Sequence, residues 1–222
     1  FSYLNQRGIT DKTALDDCFR NQIFNKTFTF NGILYVNTAF PLRNQTGVVA
    51  AIVRNAQYNK IERPRGDACW VSNPAVSDAD NLTMVITESP IDALSYHQLF
   101  LPTLSEKRLY VATAGNLSES QPQYIQYLIE LYQPQRVIMA NDNDKGGIWQ
   151  NVKLMGALMH PDSPNNLSIS IQLHGQKLLL SFRYEVENPQ GEVPVIEKMV
   201  ENYFKTAKKF VAPRKDGWVD VH

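Results

Sequence analysis

The chain lacks most of the features that announce a function from composition alone. It has two cysteines, Cys18 and Cys69, far apart and without a CxxC spacing, which excludes a zinc ribbon recognisable from sequence and any disulfide framework. Buried thiols in a reducing compartment are the expectation, and with it a cytoplasmic location. Charge of one sign is also missing. Lys plus Arg and Asp plus Glu number 22 each, so no bulk field marks a nucleic-acid or membrane partner, and any basic groove has to be local. No apolar run approaches the length of a membrane span, and no charged-then-apolar leader opens the sequence. Phe1 stands where a Met would start a complete chain, which predicts a fragment or a processed product. Histidines are few, and His97, His160, His174 and His222 show no ligand spacing. Five Asn-x-Ser/Thr triplets, at Asn25, Asn44, Asn81, Asn116 and Asn166, are the chance yield of an Asn-rich sequence.

What is present is enough for a packed core. The 222 residues, 43% of them hydrophobic, allow one large domain or a small one fused to a medium one. The opening FSYLNQRGITDKTALDDCF reads as a helix ending near Arg7-Gly8 and a second start at Thr10 or Asp11. Short β runs follow, FTFNGILYV and GVVAAIVRN, with Asn31-Gly32 and Gln45-Thr46-Gly47 as turns. Residues 1–80 therefore read as a small α+β unit, closed by the polar linker SNPAVSDADN.

Three strand-and-helix pairs come next: LTMVITES with PIDALSYHQLF, RLYVATAG with SQPQYIQYLIELY, and QRVIMANDND with GIWQNVKLMGALM. Strands alternating with helices of this length predict βαβ crossovers, hence an α/β fold with a parallel sheet whose ligands gather beyond the carboxyl ends of the strands. Glu88, Gly115, Asp142 and Asp144 all fall at such ends. Asp142 and Asp144 are two positions apart, so at a strand end both can point the same way, and two carboxylates aimed at one point call for a proton or a cation between them. The plainer reading, turn and helix-capping acids, stays open on this stretch alone. If the first and third of these strands are neighbours, Glu88 joins the pair, and three carboxylates suit a hard cation such as Mg2+. Beyond them, LSISIQL and KLLLSFRYEV read as a hairpin turning at His174-Gly175, and PVIEKMVENYFKTAKKF as a helix.

The segments ITESPIDAL, ATAGNLS and MANDNDKGG resemble, in order, the glutamate motif, the Gly-containing motif and the DxD motif of a TOPRIM domain, the module shared by bacterial primases, topoisomerases and some nucleases. The resemblance covers about residues 82–160 and is strongest to the primase-like TOPRIM proteins of bacterial conjugative and mobilisable elements. YLNQRGIT and FPLRNQTGVVAAIVRN resemble segments of the primase core, and WVSNP resembles the lead into the TOPRIM unit. The ending KDGWVDV departs from the mobile-element pattern by a Gly before Trp218.

The resemblance implies a TOPRIM (Rossmann-like) domain over residues 81–222, with a hairpin-helix insertion at about 167–210, preceded by a primase-core-like subdomain over residues 1–80. It implies that Glu88, Asp142 and Asp144 hold Mg2+ or Mn2+, with Glu88 available as an acid or base in phosphodiester (nucleotidyl transfer) chemistry. Arg54 matches an arginine lining the family's nucleic-acid groove, and Arg43, Arg63 and Arg65 are expected beside it, with Lys145 as a phosphate contact. Gly146 and Gly147 would let a phosphate approach a helix N-terminus. Asp92 matches an acid at the start of the family's first helix, although a helix N-terminus favours an acid there in any case. The implied partners are single-stranded DNA, nucleoside triphosphates, and a relaxase or other mobilisation protein, with no membrane. A metal-dependent TOPRIM nuclease is one alternative. A non-catalytic accessory module binding DNA or a relaxase is the other, favoured by the missing zinc ribbon and the zero net charge.

Overall fold

A computed structural model of the chain describes residues 2–73, 81–103, 105–142, 144–159, 167–174, 177–184, 211–213 and 219–221. Two compact units emerge, residues 1–140 and residues 141–222.

The first unit opens with α1 (Ser2–Gln6) and α2 (Asp11–Ala14), the second capped by the side chain of Thr10, which accepts from the Thr13 N–H. An antiparallel sheet follows in the order β1 (Phe24–Phe30), β2 (Ile33–Asn44), β3 (Gly47–Arg54), β4 (Asn59–Glu62). Phe30 pairs with Ile33, so Asn31 and Gly32 alone make the first turn, at φ 50° and 75°. Both residues tolerate left-handed backbone, the conformation that a two-residue hairpin requires. Between β2 and β3 the register slips after Leu42, which leaves Val49 as a bulge. Lys26 and Glu62, on the two edge strands, form an ion pair.

The second sheet of this unit has the order β5 (Trp70–Val71), β7 (Lys107–Ala112), β6 (Leu82–Thr87), β8 (Arg136–Met139). Strands β7 and β8 both pair parallel with the central β6, as the alternation of strands and helices predicts. The sheet is mixed rather than all parallel, because the WVSNP segment does more than lead into it. Trp70 and Val71 pair antiparallel with β7, and Ser72 locks the pairing: its N–H donates to the Tyr110 carbonyl at 2.9 Å, and its Oγ accepts from the Tyr110 N–H at 2.9 Å. All six residues of β6 are buried, including Thr83 and Thr87, as in a strand covered on both faces.

Helices α3 (Pro90–Leu99) and α4 (Gln121–Tyr132) follow β6 and β7. One hydrophobic cluster draws Leu4, Phe19, Phe40, Ile52 and Trp70 from the first eighty residues and Val85, Leu94 and Tyr110 from beyond them. Within it Phe19 stacks on Trp70 with ring centroids 6.0 Å apart. Residues 74–80, most of the expected linker, lie outside the described residues. Asn73, just before them, is anchored: its N–H donates to the Cys18 carbonyl at 2.7 Å and its amide to the Asp17 carbonyl at 2.9 Å.

The second unit contains α5 (Lys145–Met159), the hairpin β9 (Leu167–His174) with β10 (Lys177–Tyr184), and the short antiparallel pair β11 (Val211–Pro213) with β12 (Val219–Val221). His174 pairs with Lys177, so the expected hairpin closes where the sequence turns. The helix expected over residues 194–210 lies outside the described residues. Among the described residues no helix is long and apolar enough to cross a membrane.

Candidate functional site

The carboxyl edge of the first unit's second sheet is built by two loops, one after β6 and one after β7. Glu88 is the first residue beyond β6 and is half-buried. Directly after it, Ser89 and Asp92 form a reciprocal cap on α3, with Pro90 in the first turn. The Ser89 N–H donates to the Asp92 carboxylate at 2.9 Å, and the Asp92 N–H donates to Ser89 Oγ at 3.4 Å. Ser89 Oγ donates to the same carboxylate oxygen at 2.6 Å. Asp92 is thus engaged in capping, the plainer of its two sequence readings, and the cap fixes where β6 hands over to α3.

The loop after β7 carries the Gly-containing motif, and it is bonded to the main chain of the first loop. The Thr113 N–H donates to the Thr87 carbonyl at 3.0 Å and the Gly115 N–H to the Glu88 carbonyl at 2.9 Å. Ala114 and Gly115 take positive φ, 63° and 98°, so the carbonyls of this loop turn back toward the body of the unit. Arg65 meets them there. Its Nη1 donates to the Thr113 carbonyl at 2.9 Å and to the Ala114 carbonyl at 2.5 Å, and its Nη2 donates to the Asn116 carbonyl. Burial lowers the pKa of this guanidinium, which remains a charged donor at any physiological pH.

Gln121 closes the same loop from the other side. It is fully buried, and its Nε2 donates to the carbonyls of Ala68 at 2.8 Å and Thr113 at 2.7 Å. Its Oε1 accepts from the Ser118 N–H at 2.9 Å, while its own N–H donates to Ser118 Oγ at 3.3 Å. Neither the bonding of Arg65 nor that of Gln121 was part of the sequence expectation. For Gln121 a signal existed: Ser118 and Gln121 have the S-x-x-Q spacing of a capping box. For Arg65 none did, because its partners are main-chain carbonyls some fifty residues away.

Of the other expected nucleic-acid residues, Arg43 and Arg54 lie on the antiparallel sheet and Arg63 just past its last strand. Arg43, on β2 opposite the bulge of β3, is half-buried; its Nη2 donates to Gln22 Oε1 at 3.1 Å and its backbone bridges Cys69. Arg54 ends β3, and its buried Nε has no hydrogen-bond partner among the described residues. Arg63 is exposed with φ 67°. Both cysteines are free, and burial pushes each thiol up to about 12, so they serve as apolar filling rather than as nucleophiles.

The second unit contains the aspartates, both exposed, at the start of α5. Asp144 caps the helix, its Oδ1 accepting from the Gly147 N–H at 2.9 Å. A Cβ on Gly147 would stand 1.9 Å from the Asp142 carbonyl oxygen, so only glycine admits this contact, and packing alone accounts for it. At Gly146 the nearest atom to such a Cβ is Asp144 Oδ1 at 3.3 Å. Lys145 begins the helix, and its side chain lies outside the described structure. Asn141 Nδ2 donates to Asn151 Oδ1 at 2.7 Å, while the buried Asn141 Oδ1 has no hydrogen-bond partner among the described residues.

The three expected metal ligands divide between the units, Glu88 in the first and Asp142 with Asp144 in the second. Among the described residues no group of three or more His, Cys, Asp or Glu side chains stands close enough to hold a metal ion. Taken singly, each of the three offers carboxylate oxygen, the ligand type that hard divalent cations take, and next to Asp142 in the chain the buried Asn141 Oδ1 has no hydrogen-bond partner among the described residues.

Comparison with known proteins adds the following. The primase fragment of the bacteriophage T7 primase-helicase protein aligns with a TM-score of 0.41 and 17% identity over 68% of this chain and 59% of that one. A bacteriophage T7 complex, in which the lagging-strand DNA polymerase interacts with primase domains of two subunits bound to an RNA/DNA hybrid and dTTP, aligns with a TM-score of 0.42 and 18% identity over 68% of this chain and 70% of that one. The chain therefore spans less than two thirds of the first of these structures. Curated proteins give no match. Residues 85–172 match a protein-family model described as Toprim-like, and this region, with Glu88, Gly115, Asp142 and Asp144 inside it, is what the chain shares with that family.

Proposed function

We propose that the chain is a primase-like TOPRIM protein that binds single-stranded DNA and uses a divalent cation, Mg2+ or Mn2+, for nucleotidyl transfer from nucleoside triphosphates, in the service of plasmid or conjugative-element mobilisation. The observation that carries the reading is the Toprim-like match over residues 85–172, in which the motif glutamate follows one buried parallel strand and the two aspartates follow its parallel neighbour. In this reading residues 1–80 supply a nucleic-acid groove and residues 81–222 the TOPRIM domain. Glu88, Asp142 and Asp144 hold the cation. When bound, it supplies charge stabilisation at a phosphorus under attack and orients the incoming oxygen. Glu88 moves the proton of the attacking hydroxyl. Arg54, with a buried Nε unpaired among the described residues, is the first candidate for a DNA phosphate, and Arg43, Arg63 and Lys145 are the others. The link to mobilisation, and a relaxase as partner, rests on the sequence resemblance alone.

The test is a Mn2+ titration of the full chain with and without single-stranded DNA, comparing the native protein with the Asp142→Asn/Asp144→Asn double variant. Binding in the native chain that disappears in the variant is the expected result. Absence of binding in both overturns the catalytic reading and leaves an accessory DNA- or relaxase-binding module. Circular single-stranded DNA incubated with Mn2+ and nucleotides then separates nucleotide addition from nicking, and nicking without addition assigns the protein to the nucleases.

A further inference from the structure

The structure assigns Arg65 a different part from the phosphate contact expected of it: we infer that Arg65 is a positioning residue that clamps the loop after β7 and through it fixes the main chain of Glu88. For the importance of Glu88 this rests on the primase-like reading above. The clamp itself rests on geometry within the first unit.

A guanidinium contacting DNA has to present its donors outward. Arg65 instead directs Nη1 and Nη2 into three carbonyls of one loop, those of Thr113, Ala114 and Asn116. Charge-assisted bonds of this kind are about twice as strong as neutral ones. They also have something to offset. Ala114 sits at φ 63°, where an L-residue with a Cβ is strained by about 1–2 kcal/mol, and Gly115 continues at φ 98°. In this conformation the three carbonyls converge on the guanidinium, so its bonds favour the strained turn. The next bond transmits the effect: the Gly115 N–H donates to the Glu88 carbonyl at 2.9 Å. Gln121 holds the Thr113 carbonyl as well, but Ala114 and Asn116 receive bonds from Arg65. A lysine could not replace it, because one ammonium lacks the planar fork that spans three acceptors.

The experiment uses the full chain with Arg65→Ala, Arg65→Lys and Arg54→Ala. Three quantities are read: hydrogen exchange of the Gly115 amide, Mn2+ affinity, and the slope of log affinity for single-stranded DNA against log salt. For Arg65→Ala we expect Gly115 exchange to accelerate about tenfold or more, Mn2+ affinity to fall about tenfold, as for a residue supporting a ligand, and the salt slope to stay native. Arg65→Lys retains charge and stem, guards against a failure to fold, and should show the same losses in smaller measure. Arg54→Ala should do the reverse, lowering the slope by about one with Gly115 exchange unchanged. Added guanidinium should restore Gly115 protection to an Arg65→Gly variant, a rescue that general destabilisation would not give. A slope lowered by about one in Arg65→Ala, with native Gly115 exchange, makes Arg65 a phosphate contact and overturns the inference. If the native chain binds neither Mn2+ nor DNA, the primase-like reading falls by itself. The clamp is then decided by Gly115 exchange and the 13C shift of the Glu88 carboxyl, and native values of both in Arg65→Ala overturn it.

Discussion

Two turns in the first unit share positive φ at two successive residues and have opposite causes. At Asn31-Gly32 and at Ala114-Gly115, two successive residues take positive φ, 50° and 75° in the one, 63° and 98° in the other. The hairpin turn is held by its own residues. Asn and Gly enter the left-handed region readily, the register closes around them, and β1 is exposed along its whole length. The loop after β7 has an alanine where the hairpin has an asparagine, and what holds it comes from far along the chain: Arg65, Gln121, and the carbonyls of Thr87 and Glu88. A turn that only joins two strands can be written locally. A turn that shapes a candidate site is held by the elements it has to align.

The comparison breaks most readily at Gln121. Replacing it by alanine removes three bonds and takes that donor from the buried Ala68 carbonyl, while the Thr113 carbonyl keeps its bond from Arg65. At the usual penalty for unsatisfied buried groups, Gln121→Ala should cost about 3 kcal/mol, measured by urea unfolding. A loss below about 1 kcal/mol would mean that this loop is as self-sufficient as the hairpin.

The next largest effect comes from placing one methyl in each turn. A Cβ on Gly32 meets nothing within 4 Å, and on Gly115 only Arg65 Nη1 at 3.7 Å, so at both sites the direct cost is backbone strain. Gly32→Ala should lose about 1 kcal/mol and stay local. Gly115→Ala should lose about 2 kcal/mol, because any relaxation of φ also disturbs the Arg65 and Glu88 bonds. Amide exchange separates the two: only the second should loosen residues outside its own turn.

The same contrast governs what could be read from the sequence. Asn31-Gly32, the Thr10 cap and the alternation of three strands with three helices are local or periodic signals, and the structure has each of them. Glu88 and the aspartates were legible as positions at strand ends. The role of the aspartates was left open between metal ligand and helix cap, and the structure has Asp144 capping α5 as Asp92, the other acid so read, caps α3. The short β5 escaped notice because two residues give no periodicity; only Ser72 and its bonds to Tyr110 make them a strand. Arg65 read as a basic groove residue because the sequence gives its charge, whereas the three carbonyls that absorb that charge are set by tertiary folding.

The smallest predicted effect is the sharpest test of that distinction. If Ala114 is forced to positive φ by Arg65 and Gln121, glycine at 114 should relieve about 1 kcal/mol of strain while giving back about half of it through the greater freedom of the unfolded chain. Ala114→Gly should then stabilise the native protein by about 0.5 kcal/mol in urea unfolding. In an Arg65→Ala background the loop can leave the strained region, so the gain should vanish and glycine should become mildly unfavourable. Asn31→Gly, in the turn that holds itself, should show no such dependence on Arg65. A double-mutant cycle between positions 65 and 114 measures the coupling directly, and a coupling of zero would mean that the alanine adopts its conformation for reasons unconnected with the arginine that bonds to its carbonyl.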